Sequence, residues 1–209
     1  MIYSNFFDRR KNTFEKSYEL IMQNSKENIC YNIVELGSSR SFVTGELEGC
    51  MSTNIKYWNP NEPKFWDWGA GIFTKVFSEN LKDVNHKLYT IDPNTDANKI
   101  VNVMCNNYKN VISIQNYSTN FINTFNEKID FLYMDHMDTS EEAAKQHLQD
   151  AKIIVEKDLM NKNGIILIDD IGSNIISGKG KYSIPFLLDN GYEIVIHEYQ
   201  VLMKKIVKL

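Results

Sequence analysis

The run G-I-I-L-I-D-D-I-G, Gly164 to Gly172, decides how the rest of the chain is read. Four apolar residues rich in β-branched isoleucine, opened by a glycine, form a buried strand. That strand ends in two adjacent carboxylates, Asp169 and Asp170. Like charges at the mouth of a hydrophobic strand are costly unless something of opposite sign meets them.

The same pattern, an apolar run stopped by a polar or turn residue, recurs on both sides. Cys30 to Leu36 is stopped by Gly37, and Lys87 to Asp92 by Pro93; Val111 to Gln115, Ile129 to Met134 and Tyr192 to Ile196 follow. Between them lie helix-length stretches: Gly71 to Lys82, Asp96 to Tyr108, Ser118 to Asn126, Thr139 to Met160 and Tyr182 to Asn190, with a further helix over Thr13 to Met22. In the Thr139 helix, Thr139 or Asp138 is the expected cap, Glu141 and Glu142 occupy the first turn, and Ala144, Leu148, Ala151, Val155 and Leu159 form the apolar stripe. Strict alternation of strand and helix predicts an α/β fold, a doubly wound, mostly parallel sheet. The final segment, Y-E-I-V-I-H-E-Y-Q-V-L-M-K-K-I-V, has two apolar runs joined by a short polar turn, which predicts an antiparallel pair at one edge and a total of seven strands.

With 209 residues, 43% of them hydrophobic and 24% charged, the chain suits one well-buried domain, and no linker or repeat divides it. A net charge of −4 with scattered Lys and Arg makes a nucleic-acid partner an unfavoured expectation. No run approaches the roughly 20 apolar residues of a membrane span, and the first residues lack the apolar core of a signal peptide. Cys30, Cys50 and Cys105 are an odd, unspaced set, so neither a disulfide frame nor a zinc site is expected. The expected location is the cytoplasm, and a homo-oligomer is compatible with the reading. Residues 1–28 form an N-terminal helical segment. Residues 38–68 break the alternation: this stretch holds Trp58, Trp66, Trp68, Pro60 and Pro63, and reads as a packed lid or binding loop, or as an ordered surface excursion.

Ligands of such sheets bind outside the carboxyl ends of the strands. Those ends carry Glu35, Gly37, Ser38 and Ser41; Asp92; Asn116 and Tyr117; Asp135, His136 and Asp138; Asp169 and Asp170. Polar loops and helix caps account for Asp138 and Asp92. They account poorly for Asp135 beside Asp169 and Asp170, which adjacent strands bring together and which calls for a cation. The first turn, E-L-G-S-S-R-S, lacks the second glycine of a dinucleotide fingerprint, whereas Asp92 sits where a carboxylate accepts ribose hydroxyls. Together they favour a nucleoside without a pyrophosphate.

The order E-L-G-S-S-R-S, W-D-W-G-A-G-I-F-T-K-V-F, L-Y-T-I-D, I-D-F-L-Y-M-D-H-M-D-T, G-I-I-L-I-D-D resembles the class I S-adenosylmethionine-dependent methyltransferases from about residue 30 onward. Within the class it is most similar to the small metal-dependent O-methyltransferases of macrolide-sugar and catechol type, although the D-H-M-D spacing departs from their pattern. The resemblance implies a Rossmann-like methyltransferase fold. It also implies that Glu35, Gly37, Ser38 and Ser41 hold the methionine part of the cofactor, Asp92 the ribose, and Asn116 and Tyr117 the adenine, with Asp135 alongside. Asp135, Asp169 and Asp170 would carry Mg²⁺ or another divalent ion.

Methyl transfer needs an aligned acceptor oxygen and a group to take its proton; His136 and Asp135 are the candidate bases. G-K-G-K-Y-S-I-P, Gly178 to Pro185, is either a flexible polar loop or a phosphate grip in which Lys179, Lys181 and Tyr182 hold a sugar nucleotide, with Trp66 and Trp68 stacking on the sugar. The expected partner is a small-molecule acceptor, a carbohydrate hydroxyl first. The alternatives are a methyltransferase-like binding subunit without catalysis, and a nicotinamide-dependent oxidoreductase, for which the first turn supplies no pyrophosphate cradle.

Overall fold

The structure, a computed structural model, describes residues 1–25, 29–45, 53–69, 72–172 and 174–206. Cys50, Gly71 and the middle of the Trp-rich stretch (46–52) lie outside the described residues. Seven strands form one sheet: β1 (Tyr31–Leu36), β2 (His86–Ile91), β3 (Val111–Ile114), β4 (Ile129–Met134), β5 (Met160–Ile168), β6 (Tyr192–His197) and β7 (Val201–Lys205), in the order β3-β2-β1-β4-β5-β7-β6. The first five pair in parallel, and β7 runs antiparallel to both its neighbours, leaving β6 at the edge.

Alternation along the strands sorts the core into two layers. Ile33, Phe131, Tyr133, Ile165, Leu167 and Leu202 face α1 (Lys11–Asn24), α2 (Phe73–Asn80) and α3 (Thr95–Met104). Val34, Leu36, Leu132, Met134, Ile166, Ile168 and Met203 face α4 (Ser118–Thr124), α5 (Glu141–Glu156) and α6 (Ser183–Asp189). Burial on both faces explains why these strands read as unbroken apolar runs.

Several boundaries differ from expectation by up to four residues, and those around α5 have a clear cause. The fifth helix is shorter at both ends: Ser140, not Thr139 or Asp138, caps it, its hydroxyl accepting from Ala143 N at 3.0 Å. It stops at a Schellman turn in which Asp158 takes the left-handed conformation (φ 49°), and Leu159 N donates to Ile154 O and Asp158 N to Val155 O. An aspartate does here what glycine commonly does, so Leu159 begins the return to the sheet and β5 starts at Met160 rather than Gly164. The buried stripe of α5 is Ala143, Ala144, His147, Asp150, Ala151 and Ile154, which includes two polar residues and leaves Leu148 and Val155 only partly buried.

The register aligns Leu36, Ile91, Ile114, Met134 and Ile168 in one row. The ladder continues one residue further: Gly37 N donates to Ile91 O, Asp135 N to Leu36 O and Asp169 N to Met134 O. Gly37, Asp92, Asp135 and Asp169 are thus set side by side, and the strand order reverses between β1 and β4, where such sheets open a crevice.

Candidate active site

A cleft of about 400 Å³ opens at that reversal. From the strand ends it is lined by Gly37, Ser38, Asp92, Asp135, His136 and Asp170, and it also takes in Arg9, Arg10, Lys179 and Tyr199. Gly37 is fixed by packing: at φ 94°, a Cβ would stand 2.7 Å from both Cα and N of His136. The β1 and β4 turns therefore touch backbone to backbone.

At the β2 end, Asp92 accepts from Ser38 N at 3.0 Å and from Asn94 N at 2.8 Å. Each carboxylate oxygen keeps a lone pair for a ribose hydroxyl. Asn116 hydrogen-bonds through its N–H to Asp92 O at 3.2 Å, which keeps the β3 turn beside the ribose end, while Tyr117 is largely exposed; neither lines the cleft. Glu35 and Ser41 lie behind the wall. Thr74 donates to Glu35, and Ser41 to Asp67. Complete burial pushes the Glu35 carboxyl up to about 8 despite the threonine hydroxyls around it.

At the β4 end, His136 projects toward a buried cluster on α5. Asp150 Oδ2 lies 3.1 Å from His136 Nε2, and its other oxygen accepts from Thr119 Oγ1 at 2.8 Å. The His147 ring stacks on His136 at 4.2 Å and donates from Nε2 to the His136 carbonyl at 3.2 Å. Both ring nitrogens of His136 are buried; Nε2 meets Asp150 at ion-pair distance without a formed hydrogen bond, and Nδ1 has no protein partner. Met137 and Asp170, both at the cleft, hold positive φ (65° and 56°), conformations that non-glycine residues adopt at a cost.

The three acids do come together, with one oxygen of each within 4.8 Å of the others. The cations that meet them belong to the protein. Lys179 Nζ lies 2.8 Å from Asp135 Oδ1 and 2.9 Å from Asp170 Oδ2. Arg10, at the start of α1, reaches Asp169 Oδ2 with Nη2 at 2.8 Å and Nε at 3.2 Å. The Tyr133 hydroxyl lies 3.1 Å from Asp135 and 3.2 Å from Asp169 and shares its one proton between them, and Tyr199 donates to Asp170. Burial and the neighbouring Asp169 charge push the Asp135 carboxyl up to about 7, against the pull of Lys179 and Arg10. Burial raises Asp170 too, but the Tyr199 hydrogen bond and Lys179 outweigh it and leave its carboxyl lowered. Magnesium bridging Asp135 and Asp170 at about 2.1 Å needs the space between their oxygens that the Lys179 ammonium fills. The expected divalent ion does not fit this arrangement.

The residues expected to hold an acceptor are dispersed. Trp66 is 1% exposed, stacked on Trp68 and packed at a tilt against Tyr3 and Trp58, so no face is open to a sugar. Trp68 packs flat on Phe6 at 5.3 Å. Lys179 is turned inward, 2% exposed, and cannot grip a phosphate from solvent. Lys181 pairs with Glu141 at 2.9 Å, and Tyr182 donates to the same carboxylate. In their place Arg9, lying 3.6 Å over the Tyr199 ring, brings a cation to the cleft, and Arg40 pairs with Asp138 at its mouth at 2.6 Å. Arg9, Arg10 and Tyr199 escaped the sequence reading because they come from chain regions with no strand-end signature; the only cue was their charge or ring.

No protein-family model and no curated protein matches the chain in sequence. In fold it is similar to the O-methyltransferase NovP, at 12% identity with a TM-score of 0.60 over 95% of this chain and 80% of that one. It is similar also to an rRNA methylase from Streptococcus thermophilus (11%, TM-score 0.56, 93% and 96%). A third similar structure is SMU.1697c from Streptococcus mutans in complex with SAH (12%, TM-score 0.56, 92% and 97%). The likeness is one of fold: the chain has the seven-stranded, mostly parallel α/β architecture of methyltransferases, with its antiparallel last strand.

Proposed function

We propose that the protein transfers a methyl group from S-adenosylmethionine to a hydroxyl oxygen of a small molecule, a sugar nucleotide being the first acceptor to test. The observation that carries this reading is a cleft at the sheet's reversal with Asp92 and Ser38 at one end and Asp135 and His136 at the other. The cleft is suited to a nucleoside at the Asp92 end, and bound S-adenosylmethionine would supply an electrophilic methyl on a sulfonium. The acceptor oxygen attacks that carbon in line as the carbon–sulfur bond breaks, the electron pair leaving on sulfur, and the oxygen's proton passes to a base. His136 is that base: its ring lines the cleft wall beside Asp150 and His147, and its Nδ1, buried and without a protein partner, is the nitrogen left to take the proton. Arg9 on Tyr199 is placed to meet negative charge on the acceptor, the part first expected of Lys179 and Lys181. The net charge of −4 disfavours an RNA acceptor.

The test is incubation with methyl-labelled S-adenosylmethionine and separate panels of sugar nucleotides, catechols and RNA. Label on a sugar-nucleotide hydroxyl is expected. Label on catechols or RNA alone overturns the acceptor assignment, and cofactor binding without transfer to any panel points to a binding subunit.

A further inference from the structure

Three carboxylates with oxygens inside 4.8 Å pose a charge problem, and the fold answers it with side chains drawn from two distant places in the chain. Lys179 follows β5 and Arg10 precedes α1; together they bring two positive charges to the three acids. The Lys179 ammonium has three N–H bonds and three acceptors: Asp135 Oδ1 at 2.8 Å, Asp170 Oδ2 at 2.9 Å and the Asp135 carbonyl at 3.3 Å. None is left for a ligand.

The backbone around Lys179 is built to hold it there. Gly178 stands at φ 57°, and a Cβ on it would fall 1.8 Å from the Asp170 carbonyl. At Gly180 a Cβ would fall 2.4 and 2.5 Å from the Cδ1 atoms of Ile184 and Ile171, which would have to shift to admit it. Lys179 N donates to Asp170 O at 3.2 Å. The two glycines let the loop fold flat onto the strand end and send the lysine inward, where its stem is buried and its charge meets the acids. Long lysines are ordinarily solvent-exposed, and burial is tolerated when, as here, every N–H is paired.

We propose that Lys179 is the resident cation of this site, occupying the position between Asp135 and Asp170 and excluding a divalent ion, so that the protein works without metal. The claim about metal exclusion stands by itself; its catalytic consequence, transfer undiminished by chelators, rests on the methyltransferase reading. Lys179 is a positioning residue: it fixes Asp135 and, through it, the turn that carries His136, and touches no reacting atom. Asp169 Oδ1, buried and without a partner, and the two carboxylates that Lys179 now spans would become free ligands if the ammonium were removed.

The experiment measures Mn²⁺ binding by calorimetry and by melting temperature with and without Mn²⁺, on the full chain as wild type, Lys179→Ala and Lys179→Arg, with S-adenosylhomocysteine titrated in parallel. Wild type and Lys179→Arg should show no saturable binding and no shift. Lys179→Ala should gain a site, its melting temperature rising with Mn²⁺; should it be unfolded alone, refolding on Mn²⁺ addition is the same result. Saturable Mn²⁺ binding by wild type overturns the proposal. So does a Lys179→Ala protein that Mn²⁺ neither binds nor rescues, since the lysine would then not be what keeps an ion out. Failure of S-adenosylhomocysteine to bind any of the three would count against the methyltransferase reading and leave the Mn²⁺ comparison intact.

Discussion

Gly37→Ala isolates the contact on which the cleft is built. The substitution places a Cβ 2.7 Å from His136 Cα and N and 2.8 Å from Asp135 C, all main-chain atoms that no rotamer change can move. A positive φ at an L residue costs roughly 1–2 kcal/mol. Relief to an ordinary contact of about 3.5 Å requires the β1 and β4 turns to part by somewhat under 1 Å. That movement stretches Asp135 N to Leu36 O, now 2.9 Å, beyond useful hydrogen bonding and, by pushing the β1 turn toward β2 on its other side, distorts Gly37 N to Ile91 O, now 2.8 Å. Two weakened buried bonds add about 1 kcal/mol each or more. The sum is about 3–5 kcal/mol, which for a chain of this size lowers the melting temperature by on the order of 10 °C. Urea denaturation gives the free energy directly, and S-adenosylhomocysteine affinity should fall with it because Ser38 and His136 move apart. A Gly37→Ala protein within about 1 kcal/mol of wild type that binds the nucleoside equally well would refute the close packing of these two turns.

Trp66→Ala should behave as a core deletion, losing about 3–5 kcal/mol in a urea melt while leaving the KM for acceptor unchanged; a raised KM with stability intact would restore the sugar-stacking role. Glu35 binds its proton up to about pH 8 when folded but releases it near 4.5 when unfolded, so the folded state holds the extra proton between those values and stability falls as pH rises through them. Glu35→Gln should flatten the dependence of urea midpoint on pH between about 5 and 8, and an unchanged slope would show that Glu35 is not the group responsible. His136→Gln should keep nucleoside binding and lower kcat by about 10²–10⁴-fold; a change of less than a few-fold would move the base to another residue.

The strands were legible because burial on both faces leaves an uninterrupted apolar signal, and the last residue of each run already named Asp92, Asp135, Asp169 and Asp170. The meeting of acids was legible for the same reason: adjacent parallel strands in register must bring their ends together. What met them was not. Arg10 reaches Asp169 across 159 positions of sequence, a distance no local pattern spans. The glycines of G-K-G-K leave open whether its lysines turn outward or inward, and the carboxylates that hold Lys179 inward, Asp135 and Asp170, stand at other points of the chain. His147 reads from its helical spacing as a packing or hydrogen-bonding residue and Asp150 carries no signal of its own; only the helix facing the β4 turn reveals that they support His136. Asp158 ended a helix that side-chain spacing alone would have carried on to Leu159. The tryptophans pack on one another and on the N-terminal aromatics, contacts between distant chain segments that their spacing does not disclose, and this takes Trp66 and Trp68 out of the stacking role the sequence suggests.

The most direct test of the account is calorimetric titration of the purified protein with S-adenosylhomocysteine, beside Asp92→Ala and in the presence of EDTA. The account predicts saturable one-to-one binding by wild type, undiminished by the chelator, and at least about tenfold weaker binding by Asp92→Ala, a loss of about 1.4 kcal/mol. No binding by a folded wild-type protein, or binding that ignores Asp92, would contradict it.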